Sequence, residues 1–459
     1  MIRVKRGLNL PLAGAPEQRV DAAAPAVRHV ALLGGDYPGM RPTLAVAEGD
    51  RVRRGQLLFE DKKTPGVRYT APGAGTIKAI HRGERRFMLA VEIALDETRA
   101  GEGSEADDER FVAHPRESLA ALPRETVQAQ LLAAGEWTAL RTRPYGKVPV
   151  PGSVPAAIFV PLMDTQPLAP DPEVIVAERQ DDFRDGLALL ARLTDGPVWV
   201  CRAAQGTLPS FAGGAEGRLR EERFAGPHPA GNPGTHIHFL EPVHAGKTVW
   251  VVQPQDVIAF GRLFTTGRLH TERVVALAGP QVNKPRLLRT RVGAQLDELT
   301  AGGLAPGQNR IISGSVLNGR AAHGPTAFLG RLHQQVSVLR EGTERHLLGY
   351  LSPGRDRHSA LNIYVSRLMP GLRFAATTST NGSERAMVSL GQYEDVMPLD
   401  ILATPLLRAL VVGDTETAQA LGALELVEED LALCSYVCAG KYEYGPILRD
   451  NLERMEAGE

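Results

Sequence analysis

Residues 44–93 alternate short apolar runs with glycine-bearing turns, and this alternation constrains the fold more than any other feature of the chain. The runs cover 44–46, 57–59, 76–80 and 89–93. Glu48-Gly49-Asp50, Arg54-Gly55-Gln56 and Pro72-Gly73-Ala74-Gly75 separate them. Runs of this length suit strands, and glycine and proline supply the backbone angles that tight turns need. A small all-β unit is therefore expected here. The 48 glycines and 33 prolines are dispersed along the whole chain without a repeat, which predicts many short elements rather than a helical array.

Within that stretch, Gly49-Asp50-Arg51-Val52-Arg53-Arg54-Gly55-Gln56-Leu57-Leu58 is followed by Ala71-Pro72-Gly73-Ala74-Gly75-Thr76-Ile77. Two glycine-turned strands and then Ala-Pro-x-x-Gly-x-Ile resemble the biotinyl/lipoyl β barrel-sandwich fold. Carriers of that fold attach a swinging arm to a lysine at an exposed hairpin tip. Counting back from Ala71 places Lys63, beside Lys62, near that tip. The flanks Glu60-Asp61-Lys62-Lys63-Thr64-Pro65-Gly66 depart from the carrier patterns. The expectation is a structural domain without an arm, because a fold does not by itself carry a function.

Composition bounds the rest. A chain of 459 residues suggests about three domains. The net charge of −1 gives no electrostatic reason to expect nucleic acid. Three cysteines make no disulfide framework, which fits a reducing compartment. The first residues are basic but lead into no signal-peptide core, and no window is long and apolar enough to span a membrane. Any membrane role is expected to be peripheral.

A helix is expected over 123–134, with Pro123 at its start, Gly135 at its stop and Val127, Leu131 and Ala134 on its buried stripe. An α/β pattern follows: strands at 157–160, 198–201, 248–252 and 274–278, and helices at 178–193 and 256–265. Two strand–helix–strand units imply parallel pairing and a Rossmann-like domain. Strands are also expected at 310–312 and 335–339. From 397 the pattern turns helical, with Asp400 capping 401–411 and further helices at 415–420 and 428–433. The acidic stretch 101–109 reads as a solvated loop. The domains are placed at 1–105 (N-terminal region with the β unit), 106–256 (Rossmann-like), 257–350, 351–396 (connecting) and 397–459 (helical).

Recognisable chemistry is sparse. His236 and His238 flank Ile237, and on a strand they would share a face, with His228 nearby. No further ligand stands at a suggestive spacing, so no metal site is expected. No phosphate loop and no dinucleotide glycine motif occurs after a strand. Cys434 and Cys438 would face one way on a helix. With Cys201 distant, the chain cannot supply the four thiolates of an all-cysteine iron–sulfur cluster. No catalytic residue is assigned.

The longest signal is a resemblance that runs nearly end to end. It is carried by Lys5-Arg-Gly-Leu-Asn-Leu-Pro-Leu-Ala-Gly14, Gly39-Met-Arg-Pro42, Leu57-Leu-Phe-Glu-Asp-Lys-Lys63, Trp137-Thr-Ala-Leu-Arg-Thr-Arg-Pro144 and Met163-Asp-Thr165. Gly226-Pro-His-Pro-Ala-Gly231, Gly234-Thr-His-Ile-His-Phe239, Gln281-Val-Asn-Lys-Pro-Arg-Leu-Leu-Arg289 and Ile312-Ser-Gly-Ser-Val-Leu-Asn-Gly319 extend it. Val396-Met-Pro-Leu-Asp-Ile-Leu402, Leu433-Cys-Ser-Tyr-Val-Cys438 and Gly440-Lys-Tyr-Glu-Tyr-Gly-Pro446 complete it. Together these resemble the A-subunit family of the Na+-translocating NADH:quinone oxidoreductases (Na+-NQR).

The resemblance implies a peripheral subunit on the cytoplasmic face of the bacterial inner membrane, within a six-subunit complex that couples NADH oxidation and ubiquinone reduction to Na+ export. The partners would be the other five subunits, chiefly the membrane-embedded B subunit, and the flavins and iron–sulfur centres would sit on those partners. No cofactor would be bound covalently to this chain, and ubiquinone would be a possible ligand. The architecture would be similar to the C subunit of the Rnf complex and to the NADH- and flavin-binding subunit of complex I. Residues from 257 would then form a β-grasp, SLBB-like module, and the helical domain would have kept its fold while losing its metal. Candidate quinone-binding or subunit-docking residues are His228, His236 and His238, with Lys284 and Arg286. Two other classes remain open: a stand-alone enzyme using a flavin or a carrier lysine, and a soluble binding module.

Overall fold

The computed structural model describes residues 1–21, 25–96, 105–213, 217–344, 351–361 and 363–458. The alternating stretch forms two facing sheets. One orders His29–Leu33, Met88–Leu95, Gly75–Arg82 and Arg51–Val52, and the other orders Pro42–Leu44, Leu57–Asp61 and Arg68–Thr70. Val52, Leu58, Phe59, Tyr69, Ile77 and Val91 fill the space between them. Phe59 stacks on Tyr69 with ring centroids 4.6 Å apart. This is the expected barrel-sandwich. Lys63 is exposed on the turn between strands Leu57–Asp61 and Arg68–Thr70, and its amide donates to Asp61 Oδ1 at 3.0 Å.

Residues before this unit belong elsewhere. Ile2–Arg3 adds a parallel edge strand beside Leu219–Ala225, and Glu17–Asp21 adds one beside Arg286–Arg291. The N-terminal segment thus ties units that are distant in sequence.

The α/β unit carries a six-stranded sheet ordered Ile2–Arg3, Leu219–Ala225, Val198–Ala203, Ile158–Leu162, Val249–Val251 and Arg141–Arg143. Only the last pairing is antiparallel. Helix Arg124–Ala134 begins after Pro123 and ends at Gly135, which adopts φ +78°, as its sequence predicts. Helices Gln180–Leu193 and Pro254–Thr266 pack together. A Cβ on Gly186 would lie 2.0 Å from the Val257 carbonyl oxygen, so glycine here permits backbone contact. The expected boundary at 256/257 falls inside the second of these helices.

The second expected strand–helix–strand unit does not form in one sheet. After helix Pro254–Thr266 the chain enters a separate mixed sheet, where Glu272–Ala278 pairs antiparallel with Arg286–Arg291. Gln335–Arg340 lies parallel to Glu272–Ala278, and the short helix Leu296–Thr300 follows the hairpin. This is the β-grasp arrangement. Apolar periodicity shows that a strand follows a helix, but not which sheet the strand joins.

The C-terminal unit packs helices Gln392–Val396, Ala403–Val412, Thr415–Ala420, Ala432–Val437 and Tyr444–Ala457 around Tyr393, Leu407, Leu431, Cys434, Tyr444 and Leu448. Asp400 does not cap the first long helix, which starts after Leu402. Its amide instead donates to His238 Nε2 at 3.0 Å. The acidic stretch also departs from a solvated loop. Residues 101–104 lie outside the described residues, but Asp108 is buried and holds both Arg54 and Arg268.

Candidate functional site

The five residues singled out in the sequence do not converge. Gly226 to Asn232 form a loop that leads into helix Pro233–Leu240, not into a strand. His236 and His238 therefore stand about 200° apart around a helix instead of sharing a strand face. Proline at the first helical position explains the change, because its fixed φ starts a helix.

His236 is fully buried against Phe224, with ring centroids 4.4 Å apart. Its Nε2 donates to the Ala230 carbonyl at 3.0 Å, and Nδ1 has no partner. Burial lowers its pKa to about 3, against the bond to Ala230, so the ring is neutral. His228 is also buried, and burial lowers its pKa to about 4. Its Nδ1 meets Thr165 Oγ1 at 3.1 Å, and its amide donates to Asn9 Oδ1 at 2.8 Å.

His238 points the other way. Its Nε2 accepts from the Asp400 amide, so Nδ1 carries the proton and donates to Glu425 Oε2 at 2.8 Å. It joins the α/β unit to the helical unit within this chain. Arg286 opens the β-grasp strand Arg286–Arg291, with its Nε 3.0 Å from Asp21, and Lys284 is exposed on the bend just before that strand. Among the described residues no cluster of three or more His, Cys, Asp or Glu is arranged to hold a metal. Cys438 lies just past helix Ala432–Val437 and accepts from the Tyr393 hydroxyl at 3.1 Å. Burial pushes the Cys434 thiol up to about 12, which makes it inert.

The structure offers a different site. A cleft of about 400 Å³ opens where the four units meet. From strand Ile158–Leu162 the sheet is built outward to Val198–Ala203 and Leu219–Ala225. It then returns to the other side at Val249–Val251. Asp164 and Gln253, just beyond the carboxyl ends of Ile158–Leu162 and Val249–Val251, the strands on either side of the reversal, line the cleft. Open α/β sheets bind ligands at such a reversal, and the volume suits a small molecule.

The cleft is rich in charge, most of it paired. Arg143 holds Asp430 at 2.7 Å and Glu429 at 2.9 Å, while Arg449 holds Glu428 at 2.6 Å. Among the described residues Arg141 donates to the carbonyls of Thr138, Leu140 and Asp36, and its guanidinium lies 5.3 Å from the Tyr37 ring centroid. Arg320 donates through Nη1 to Asp36 at 2.8 Å, whereas its Nε and Nη2 are buried without a partner. Gln166 Oε1 is likewise unpartnered. Burial lowers His333 to about 4, so this ring is neutral as it bonds Ser313 Oγ at 2.8 Å. Burial raises Asp164 to about 6 despite a bond from the Gln166 amide.

Beside the cleft, an ion network crosses the units. Asp256 Oδ1 accepts from Arg273 at 2.6 Å and Arg331 at 2.7 Å, and Arg331 reaches Glu136 at 3.3 Å. Burial alone would lower the Arg331 pKa, but Asp256 and Glu136 outweigh it and raise it. Sequence reasoning missed these arginines. Arg141 and Arg143, alternating on a three-residue strand, carried a signal only in hindsight, because a charged residue reads as exposed until its partners are located.

Profiles of three domains match the chain: the NqrA N-terminal barrel-sandwich hybrid domain over residues 2–96, the NqrA second alpha/beta domain over 122–269 and the NQRA C-terminal domain over 274–324. The chain is 62% identical to the A subunit of the Na(+)-translocating NADH-quinone reductase of Pseudomonas aeruginosa strain UCBPP-PA14, over 99% of both chains. It is 59% identical to the protein of that name from Alcanivorax borkumensis, over 100% of both. Among solved structures it matches the NAD+-reducing [NiFe]-hydrogenase in the air-oxidized state at 15% identity, covering 75% of this chain and 68% of that one, with a TM-score of 0.37, too slight a likeness to argue from. On the full-length identities, the chain belongs to the NqrA family, the A subunits of the Na+-translocating NADH-quinone reductases.

Proposed function

We propose that this chain is a peripheral, scaffold-like subunit on the cytoplasmic face of a six-subunit respiratory complex that couples NADH oxidation and ubiquinone reduction to Na+ export. The observation that carries this reading is the end-to-end identity with proteins named as the A subunit of such a reductase. No helix among the described residues is long and apolar enough to cross a membrane, which favours peripheral attachment, chiefly to the membrane-embedded B subunit. Three cysteines are too few for an all-cysteine cluster, which favours flavins and iron–sulfur centres on the partners.

Where quinone meets this chain, the chemistry favours the cleft over the buried histidines. A quinone headgroup is planar and presents two carbonyl acceptors. Arg320 lines the cleft, and its guanidinium is a donor suited to one of them. Of the five residues expected from the sequence, Lys284 is the one whose exposure suits contact with a partner protein.

The test is to purify a tagged chain from its native membranes in mild detergent and assay Na+-stimulated NADH:quinone reduction. Activity with membrane subunits present is expected. In the same complex, Arg320→Ala is expected to raise the KM for quinone while assembly persists. An active complex that lacks the chain refutes the scaffold reading, and an unchanged KM in Arg320→Ala refutes the cleft.

A further inference from the structure

Between residues 351 and 390 the surface departs from that of a self-contained protein. Eight of the seventeen large apolar side chains exposed among the described residues fall there. Leu361, Ile363 and Leu368 are 56%, 69% and 78% exposed. Clustered apolar exposure of this kind marks an interaction surface, whereas single exposed residues do not.

The segment is nonetheless held in place. The Val365 amide donates to the Pro353 carbonyl at 3.0 Å, and Ser366 Oγ donates to the Arg357 carbonyl at 2.5 Å. His358 Nδ1 lies 2.8 Å from the Tyr436 hydroxyl on the helical unit. The Phe374 amide donates to the Pro11 carbonyl at 2.8 Å. The exposed side chains therefore project from a backbone anchored at several points.

Charge indicates what covers them. Residues 351–374 carry Arg355, Arg357, Arg367 and Arg373 against one carboxylate, Asp356, in a chain of net charge −1. Arg355, Arg367 and Arg373 are exposed. Exposed apolar side chains interspersed with exposed arginines along one segment match the boundary between anionic headgroups and acyl chains. Apart from one helical turn, Val365–Leu368, the described backbone here is irregular. It offers no regular ridge for a partner's helix to pack against. Irregular backbone also cannot enter the hydrocarbon, where its amides would lose water, so only side chains enter.

We infer that the described residues between Leu351 and Phe374 form a shallow membrane anchor. It sets Leu361, Ile363, Leu368 and Met369 into the interface of an anionic phospholipid bilayer and lays Arg355, Arg367 and Arg373 against lipid phosphates. The inference rests on the peripheral-subunit reading for the presence of the bilayer, but its chemistry is tested without the complex.

The experiment is co-sedimentation of the full chain with vesicles of phosphatidylethanolamine and phosphatidylglycerol, against vesicles of phosphatidylcholine alone. The chain is expected to pellet with the anionic vesicles, and less so as salt rises. The pair Leu361→Ser and Leu368→Ser is expected to lower partition about tenfold or more. Arg367→Glu and Arg373→Glu are expected to lower it about fivefold for each arginine removed. Because these side chains are exposed, the thermal midpoint should not move. Absence of binding to anionic vesicles, equal binding to both lipids, or serine variants that bind like the parent would each overturn the anchor. Serine variants that bind vesicles normally but fail to join the complex would instead assign the surface to a partner protein. A parent chain that ignores vesicles yet assembles into an active complex would overturn the anchor and leave the scaffold reading standing.

Discussion

Lowering the pH should destabilise this chain through two particular imidazoles. Burial places His236 at about 3 and His228 at about 4, against 6.5 for a free ring. The unfolded chain thus binds these protons first, and the unfolded state gains as pH falls below 6.5. Stability from these groups is complete above that value and is lost progressively until the native pKa values are reached. At pH 5 the gap of about 1.5 pH units below the unfolded pKa corresponds to about 2 kcal/mol for each ring, or about 4 kcal/mol together. The assay is urea unfolding of the full chain at several pH values between 7 and 5, beside His236→Gln and His228→Asn. Gln keeps a donor near the Ala230 carbonyl, and Asn keeps a polar atom near Thr165, while neither titrates. Each variant should flatten the pH dependence by about 2 kcal/mol at pH 5, whatever its offset at pH 7. Parallel slopes for parent and variants would refute the claim that these rings are buried and neutral.

Four further outcomes follow from the packing. Asp256→Asn leaves Arg273 and Arg331 without their shared carboxylate and should cost about 3–5 kcal/mol, read by urea midpoint; a loss below about 1 kcal/mol would show that water already reaches the network. Gly186→Ala forces a methyl into the Val257 carbonyl and should destabilise by about 1–3 kcal/mol, with Gly371→Ala, where the added Cβ meets open space at an ordinary φ, as the comparison for crowding. His238→Ala removes the bonds to Glu425 and Asp400 and should speed proteolytic cleavage between the α/β and helical units, seen as a stable large fragment on a gel; an unaltered digestion rate would place the join elsewhere. The intact mass of the purified chain should equal that of its sequence, and added biotin or lipoate on Lys63 would reverse the reading of the barrel-sandwich as structural.

Local chemistry made much of the architecture legible. Turn glycines and short apolar runs specify the barrel-sandwich, because alternation and turn angles act within a few residues. Pro123 and Gly135 bracket their helix for the same reason. Phe183, Leu187 and Leu190, at helical spacing in the sequence, form the buried face of helix Gln180–Leu193. The same local signals mislead where a distant segment intervenes. The strand Glu272–Ala278 joins a second sheet because its partners, Arg286–Arg291 and Gln335–Arg340, lie downstream and not in the α/β unit. Asp400 looks like a cap, yet its amide is taken by His238 from 162 residues away.

The site was less legible still, because burial and pairing are long-range properties. The sequence puts His236 on a strand with His228 nearby, but only packing against Phe224 and Thr165 makes these rings buried and neutral. Arg331 and Asp256 attract no notice in sequence, since a lone charge reads as solvated. They become a junction of the α/β and β-grasp units once folding removes water and brings Glu136 and Arg273 to them. Residue order fixes which short elements form and which family they belong to. Which charges are buried, and where the four units leave a cleft, depends on contacts hundreds of residues apart, whose energies exist only after water has been excluded.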